Sequence, residues 1–489
     1  MSVRKLVSKI IFLLFFVEFM LRKWFAFLFG VAFFTSSWAL PSFTEQTQQP
    51  CAACHLSFGE LTPFGRKFKL MGYANGKRVN PFNVNGTASL TKISNTDSSV
   101  DPSLSLPKNG KVLPEELNVF VAGKITEQVG SNVKLTVNAI NTTPLFSTSG
   151  VQTGTKVSKD VLLDNSEIRF AQSAQLNKTP MVWGVTLNNA PSTQDLWSTT
   201  PGHGFPYRSS SLLNAWGMGQ FGPTAMLDGG MNSQVLGVGM FAMLDDVWYA
   251  EFTSYHGSKT AIPALEVANA SNAISTNNNP YWRLAWNPVV GPNSWMLGTF
   301  GMISKLSRDR LVTGSSSGKY TDIGMDAQYQ FITPSHSWSA QASLIQEKVD
   351  WSARSVGTNH DAQVSTLSTF KTKVTYDFAR TYGATWFGFA SNGSTDSLYW
   401  AYNSNPSVTT GACNQNSSLL AYCSSNGMPN TAGQGFEIYY APMPQLRINL
   451  QQTYYRSFLG GRTFIDNTSG NSRAASDNNL TYLYATYSY

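Results

Sequence analysis

The stretch QLRINLQQTYY, residues 445–455, alternates apolar and polar residues along its whole length. A strict period of two is the signature of a β-strand with one apolar face and one polar face. Leu446, Ile448, Leu450 and Tyr454 lie on the apolar face, and the polar face carries Gln445, Arg447, Asn449, Gln451 and Thr453.

The same alternation recurs in other stretches and extends to the last residue of the chain. Examples are YWRLAW (281–286), WSAQASL (338–344), FKTKVTYDF (370–378) and the terminal LTYLYATYSY (480–489). A soluble antiparallel sheet also alternates. Aromatic residues near the strand ends of the apolar face, with charges on the other face, favour a membrane barrel with a wet lumen. We therefore predict an all-β, antiparallel, transmembrane outer-membrane β-barrel, located in the outer membrane of a Gram-negative bacterium.

The number of strands follows from counting these alternating runs. Fourteen are clear, and weaker ones within 130–163 bring the expected even number to about sixteen. The short joins at Asp245-Asp246, 291–293 and Pro334 are typical of periplasmic turns, whereas long polar stretches such as 393–431 are typical of outer loops. The fourteen strands are 116–127, 166–173, 180–190, 234–244, 247–256, 281–290, 294–304, 319–332, 337–349, 367–379, 382–392, 432–442, 445–457 and 479–489.

Composition supports a folded barrel and argues against nucleic-acid binding. The chain has 489 residues, of which 13% are charged and 13% aromatic. A chain so rich in aromatic residues is not typical of a disordered protein. The net charge is +7, but five basic residues and one acidic residue precede residue 40, so the remainder carries only +3. That balance is too mild to indicate nucleic acid as a partner. The low count of 28 Asp plus Glu is a weak indication of an acidic habitat.

The N-terminal 39 residues have the pattern of a secretory signal peptide. In LRKWFAFLFGVAFFTSSWA, residues 21–39, a basic pair precedes an apolar run, and Ser37 and Ala39 fit the small–x–small cleavage rule. Met20 is an alternative start. An anchor helix from Ile10 onward is disfavoured, because Glu18 and the basic pair interrupt the apolar run. We expect cleavage after Ala39 and export of everything that follows.

CAACH, residues 51–55, follows shortly after the predicted cleavage site. Two cysteines three apart with an adjacent histidine form the c-type haem attachment pattern. The thiols of Cys51 and Cys54 add across the two vinyl groups of the haem, and His55 becomes the proximal iron ligand. One motif predicts one covalently bound c-type haem. A Cys51–Cys54 disulfide and half of a zinc site are weaker alternatives.

The sequence does not determine the sixth ligand of the haem iron. Met71 is the only methionine between the motif and residue 116, and it is either an axial ligand or a packing residue. His203, in STTPGHGFPY, is the chief candidate from the barrel, although a lone loop histidine is more often solvated. Residues 60–72 suit a short amphipathic helix whose basic residues either pair with haem propionates or face water.

Two further features belong to the predicted loops. Cys413 and Cys423 fall ten residues apart within 393–431 and are expected to form a disulfide outside the cytoplasm. The stretch 191–231 is long and lacks a clear strand. It either folds into the lumen as a constriction or forms another outer loop.

Taken together, CAACHLSFGELTPFGRKFKLMGY (51–73) and the barrel pattern resemble the outer-membrane cytochrome–porin fusions that oxidise ferrous iron in iron-oxidising bacteria. The resemblance implies three segments: a signal peptide (1–39), a monohaem cytochrome segment (40–115) in the periplasm or the barrel lumen, and a porin-like barrel (116–489). It implies an enzyme of the ferrous iron oxidase type. Extracellular Fe(II) is the expected electron donor, and a periplasmic cytochrome c or copper protein the expected acceptor.

Candidate Fe(II) ligands in the barrel are inward-facing carboxylates, although such groups are more often ordinary lumen charges. They are Asp322, Asp326, Glu347 and Asp377.

Two other functions are compatible with the same haem segment and barrel. One is electron export to extracellular acceptors, since the sequence does not set the direction of transfer. The other is a diffusion porin with an accessory haem domain, for which an unobstructed lumen is expected.

Overall fold

A computed structural model gives the architecture for most of the chain after residue 40. The structure describes residues 41–57, 59–95, 108–146, 152–199, 208–215, 220–231, 235–257, 273–274, 278–307, 317–353, 356, 360–400, 422–466 and 471–489. The predicted signal peptide lies outside this set and stays a prediction. Among the described residues, none of the helices has the length and hydropathy needed to cross a membrane.

Sixteen long antiparallel strands form one sheet, together with the two-residue strands Ala273–Ile274 and Val289–Val290. The long strands are Phe82–Ile93 (β1), Val112–Lys124 (β2), Val129–Phe146 (β3), Gln152–Leu176 (β4), Thr179–Asn188 (β5), Val235–Leu244 (β6), Trp248–Gly257 (β7), Asn279–Trp286 (β8), Asn293–Ser307 (β9), Ser317–Ile332 (β10), His336–Trp351 (β11), Val364–Phe378 (β12), Tyr382–Gly393 (β13), Thr431–Met443 (β14), Leu446–Ser457 (β15) and Leu480–Ser488 (β16).

The sheet closes into a barrel because its first and last strands pair. β16 runs antiparallel to β1, with Leu483 opposite Leu90. The terminal Tyr489 then exchanges two backbone hydrogen bonds of 2.7 Å with Val84 of β1. Each other long strand pairs with its neighbours in chain order. The predicted strand at the C-terminus is therefore confirmed. The fold is a closed sixteen-strand outer-membrane barrel.

The start of the barrel differs from the sequence expectation. We expected the cytochrome segment to run to residue 115 and the first strand to begin at 116, but β1 begins at Phe82 and β2 at Val112. β1 was missed because its outward face includes Gly86 and Ala88, so its alternation in hydrophobicity is weak. The weaker strands expected within 130–163 are found as β3 and the first half of β4.

Short turns lie at one end of the barrel and long connections at the other, as expected. Asp245 and Asp246 both have positive φ, 56° each, which is the geometry of a tight hairpin turn. Asn177 and Lys178 repeat this geometry between β4 and β5. The long-connection end includes a small three-stranded sheet of Tyr422–Ser424, Thr463–Asp466 and Ser472–Ala474. The short-turn end is the periplasmic end.

Before the barrel, the chain forms short helices: Pro41–Thr47 (α1), Cys51–Cys54 (α2) and Pro63–Leu70 (α3). Between α2 and α3, His55–Ser57 pairs with Glu60–Leu61. Later in the chain, the described residues also form the short helices Pro191–Gln194 (α4), Ser211–Ala215 (α5) and Ser397–Trp400 (α6). The expected helix within 60–72 is thus found as α3.

The two faces of the barrel wall differ as the alternation predicts. In β15, Ile448, Leu450 and Tyr454 point outward and are exposed, whereas Asn449 and Gln451 point inward and are buried. The apolar side chains of the outward face contact lipid. The backbone groups are satisfied separately, because each strand is hydrogen-bonded to its neighbours within the sheet.

Replacement of Leu450 by Arg tests this orientation. Leu450 lies outward near the middle of β15, where a charge in lipid costs about 2–4 kcal/mol of folding free energy. We expect Leu450→Arg to lower the denaturant midpoint of the barrel in detergent or lipid, and Leu450→Phe to leave it nearly unchanged. Equal midpoints for both variants would contradict an outward, lipid-facing Leu450.

Candidate functional site

The cysteines of CAACH lie on the single helical turn α2, three residues apart and therefore on one face. His55 leaves the helix in an extended conformation, with φ −121° and ψ 135°. All three residues are partly buried, and both thiols are free. The disulfide alternative is thus not what the structure has. Two free thiols on one face with a histidine directly after them fit the donor set of a covalent haem.

Burial sets the protonation of these groups. It raises the pKa of Cys51 to about 12 and that of Cys54 to about 11, so both are protonated thiols at neutral pH. Burial also lowers the pKa of His55 to about 4, which leaves the imidazole neutral. A neutral imidazole is the form that ligates a metal.

The helix α3 is packed directly against the CAAC turn. Thr62 caps α3 by accepting a hydrogen bond from the Gly65 backbone N–H, and its hydroxyl donates to the carbonyl of Ala53. Gly65 lies so close that a Cβ there would be 2.2 Å from the carbonyl oxygen of Cys54. The contact requires a glycine at this position.

The basic residues of α3 do not behave as the amphipathic pattern suggested. Lys67 faces solvent and pairs with Asp246 of a periplasmic turn at 2.5 Å, but Arg66 and Lys69 are buried. Lys69 donates to the carbonyls of Thr193 and Asp195 and lies 3.8 Å from Glu167 of β4. The expectation that the basic residues point to water holds only for Lys67.

Other contacts attach the segment 41–77, called here the N-terminal plug, to the short-turn end of the barrel lumen. Glu60 pairs with the inward-facing Lys373 of β12 at 2.8 Å. Arg380, in the turn after β12, donates to the carbonyl of Leu56 at 3.3 Å. Tyr73 donates to Glu167. The plug therefore contacts inward-facing residues on different sides of the barrel.

The predicted axial ligands are placed differently. Met71 is the C-cap of α3 and packs against a buried cluster that includes Leu70 of α3, Trp197, and Phe241 of β6. This is the packing role left open by the sequence. His203 lies outside the described residues. Cys423 is disulfide-bonded, and its predicted partner Cys413 also lies outside them.

Described residues of 191–231 lie in the lumen beside the plug, as the constriction alternative predicts. Trp197 is fully buried, and its indole N–H donates to Asn287 at 2.8 Å. Its carbonyl accepts hydrogen bonds from Gln328 and Gln341 of the wall. Nearer the long-connection end, the backbone N–H groups of Met226 and Leu227 donate to Glu347 and Asp322 at 2.6 and 2.7 Å. The described parts of 189–231 are thus bound inside the barrel.

The four candidate carboxylates all face inward and are buried. Asp326 pairs with Arg283 at 2.6 Å, and Asp377 accepts from Tyr439, so both have internal partners. Asp322 and Glu347 are opposite each other on β10 and β11. In the described part of the chain, no group of three or more His, Cys, Asp or Glu is arranged to hold a metal ion. The structure thus brings no set of iron ligands together there.

Comparison with solved structures finds outer-membrane proteins of low sequence identity. OmpT of Vibrio cholerae in its trimer form is 9% identical, with a TM-score of 0.42 over 83% of this chain and 98% of that chain. Salmonella typhi OmpF in complex with daunomycin is 10% identical, with a TM-score of 0.42 over 83% and 97%. The anion-selective porin from Comamonas acidovorans is 10% identical, with a TM-score of 0.38 over 83% and 98%. No family model and no curated protein matches.

The assignment to the class of porin-like outer-membrane β-barrels rests on the strand pairing of this chain itself. The closed ring of sixteen strands and the outward apolar face define that class.

Gly65→Ala tests the packing of α3 on CAAC. The added methyl group would collide with Cys54 backbone, which a side-chain rotation does not relieve. In protein produced without haem, we expect faster labelling of Cys51 and Cys54 by a maleimide reagent than in the unaltered chain. Gly461→Ala is the matched control, because the nearest atom to its Cβ is 3.8 Å away. Unchanged labelling in Gly65→Ala would mean that α3 does not rest on the CAAC turn.

Proposed function

We propose that this chain is an outer-membrane c-type cytochrome that oxidises extracellular Fe(II) and passes the electron through one covalent haem to a periplasmic cytochrome c or copper protein. The observation that carries this proposal is the position of CAACH. It belongs to a plug at the periplasmic end of a barrel whose inward faces are buried.

Cys51 and Cys54 would hold the haem, and His55 would be its proximal ligand. When bound, a c-type haem supplies reversible one-electron exchange. The sixth ligand would be Met71, His203 or another residue of the barrel. In this structure Met71 packs against the cluster that includes Trp197.

The inside of the barrel is occupied by the chain's own residues. Inward-facing residues are buried along β10, β11 and β12, as they are along β14 and β15. A barrel filled in this way keeps a bulky, poorly soluble product such as ferric iron outside while an electron crosses. Fe(II) as the donor is supported by the resemblance of residues 51–73 to the iron-oxidising family.

A diffusion porin is the second candidate function. A sixteen-strand barrel is the size that encloses an aqueous channel in porins, and this favours it. Against it stand the buried inward faces and the two segments, 41–77 and 189–231, whose described parts occupy the lumen. Electron export is the third candidate, and it differs from iron oxidation only in the reduction potential of the haem.

Reduction by Fe(II) tests the main proposal. We expect purified, oxidised, haem-loaded protein in detergent to show a rapid appearance of reduced haem bands in a stopped-flow spectrometer when Fe(II) is added at acidic pH. His55→Ala should lose this rapid phase. His336→Ala is a matched control, because His336 is an exposed residue at the start of β11 and its Nδ1 is hydrogen-bonded to Tyr376. A haem that stays oxidised in excess Fe(II) would reject the oxidase proposal.

Conductance separates the porin candidate from both electron-transfer candidates. We expect single barrels in a planar bilayer to pass far less current than an open sixteen-strand porin, because the plug and the 189–231 segment are bound to the wall. A stable open-porin conductance in the unaltered, haem-loaded chain would favour the diffusion porin.

A further inference from the structure

Arg66 is a buried cation beside the haem attachment motif. It lies in α3, is 4% exposed, and follows Gly65, the residue in contact with Cys54. Its backbone N–H donates to the carbonyl of Thr62 at 2.9 Å, and Thr62 is in turn bonded to Ala53. The Arg66 backbone is therefore held against the CAAC turn.

The guanidinium of Arg66 binds only neutral oxygens. Nη1 donates to the side-chain oxygens of Gln330 at 2.7 Å and Gln328 at 3.2 Å, and to the carbonyl of Leu61 at 3.0 Å. Nη2 donates to the hydroxyl of Ser294 at 2.6 Å. Arg66 forms no ion pair with any carboxylate in the part of the chain that the structure describes.

This arrangement differs from that of the other buried bases around the plug and the lumen. Each of them lies within ion-pair distance of a carboxylate. The pairs are Lys69 with Glu167, Arg169 with Glu167, Arg283 with Asp326, Lys371 with Asp228, and Lys373 with Glu60. These buried cations are thus each neutralised by a carboxylate at ion-pair distance, whereas Arg66 is not.

An unneutralised buried charge is costly, because desolvation is not repaid by an opposite charge. Burial lowers the pKa of Arg66 to about 9, so the side chain is still charged at neutral and acidic pH. Its hydrogen-bond partners are neutral and hold the guanidinium in place, so its field is opposed only from beyond ion-pair distance, by the carboxylate of Asp195. In the poorly polarisable interior, such a field acts over a longer distance than it does in water.

We propose that Arg66 is a positioning residue that raises the reduction potential of the haem on Cys51, Cys54 and His55. A fixed positive charge disfavours ferric haem, which carries one more positive charge than ferrous haem. Raising the potential in this way makes the transfer of one electron from Fe(II) to ferric haem more favourable. This inference rests on the proposed haem function and adds to it the residue that sets the direction of transfer.

The test is a potentiometric titration of the haem bands in the full-length, haem-loaded protein. Arg66→Gln removes the charge, and we expect its midpoint potential to shift downward. Arg66→Lys keeps a charge without the planar fork, so its midpoint should stay near that of the unaltered chain. Lys67→Gln is the matched control. It removes an exposed, solvent-screened charge from the same helix and should shift the midpoint little.

A second variant keeps the test decisive if Arg66→Gln does not assemble. Gln330→Glu places a carboxylate at the closest Gln partner of Arg66 and neutralises its field without removing the guanidinium. We expect a downward shift here too.

The outcomes are distinguishable. A midpoint unchanged in both Arg66→Gln and Gln330→Glu, or equal shifts in Arg66→Gln and Arg66→Lys, would overturn the role of the charge. Absence of haem from the unaltered chain would instead overturn the proposed function.

Discussion

Closure of the sheet is the constraint on which the other features depend. A strand in lipid must pair on both sides, since an unpaired edge would leave backbone groups without partners. Here the C-terminal strand β16 pairs with β1, and Tyr489 completes the seam with Val84. Because β1 follows directly after the plug, closing the barrel brings residues 41–77 to the periplasmic mouth. The position of CAACH is thus a consequence of which strand closes the ring.

Filling of the lumen follows from the same geometry. A sixteen-strand ring is wide, and its inward residues would normally face water. In this chain they bind two segments of the protein, and they do so largely through polar and charged groups. Trp197 is held by Asn287, Gln328 and Gln341, and the plug by Glu60, Arg66 and Lys69. The described parts of these two segments obstruct the lumen for a solute.

The sequence predicts the wall of this barrel well and its interior poorly. Alternation is a local property, so β15 and β16 could be placed from their own residues. β1 could not be placed in this way. Its outward Gly86 and Ala88 are only weakly apolar, so they contrast little with the inward asparagines and threonines.

The burial of Arg66 and Lys69 could not be predicted either. Their partners, Gln330 and Glu167, are far away in the sequence and become neighbours only when the barrel closes. The CAACH motif can be recognised in the sequence, because its chemistry depends on residues that are adjacent in the chain.

We propose that an electron crosses the barrel while iron stays on the far side. The most direct measurement uses liposomes with the haem-loaded protein in the membrane, oxidised cytochrome c trapped inside and isotopically labelled Fe(II) added outside. We expect the trapped cytochrome to be reduced at a rate that depends on His55, with no labelled iron found inside. Labelled iron recovered from the interior, or a trapped cytochrome that stays oxidised while haem is present, would contradict this proposal.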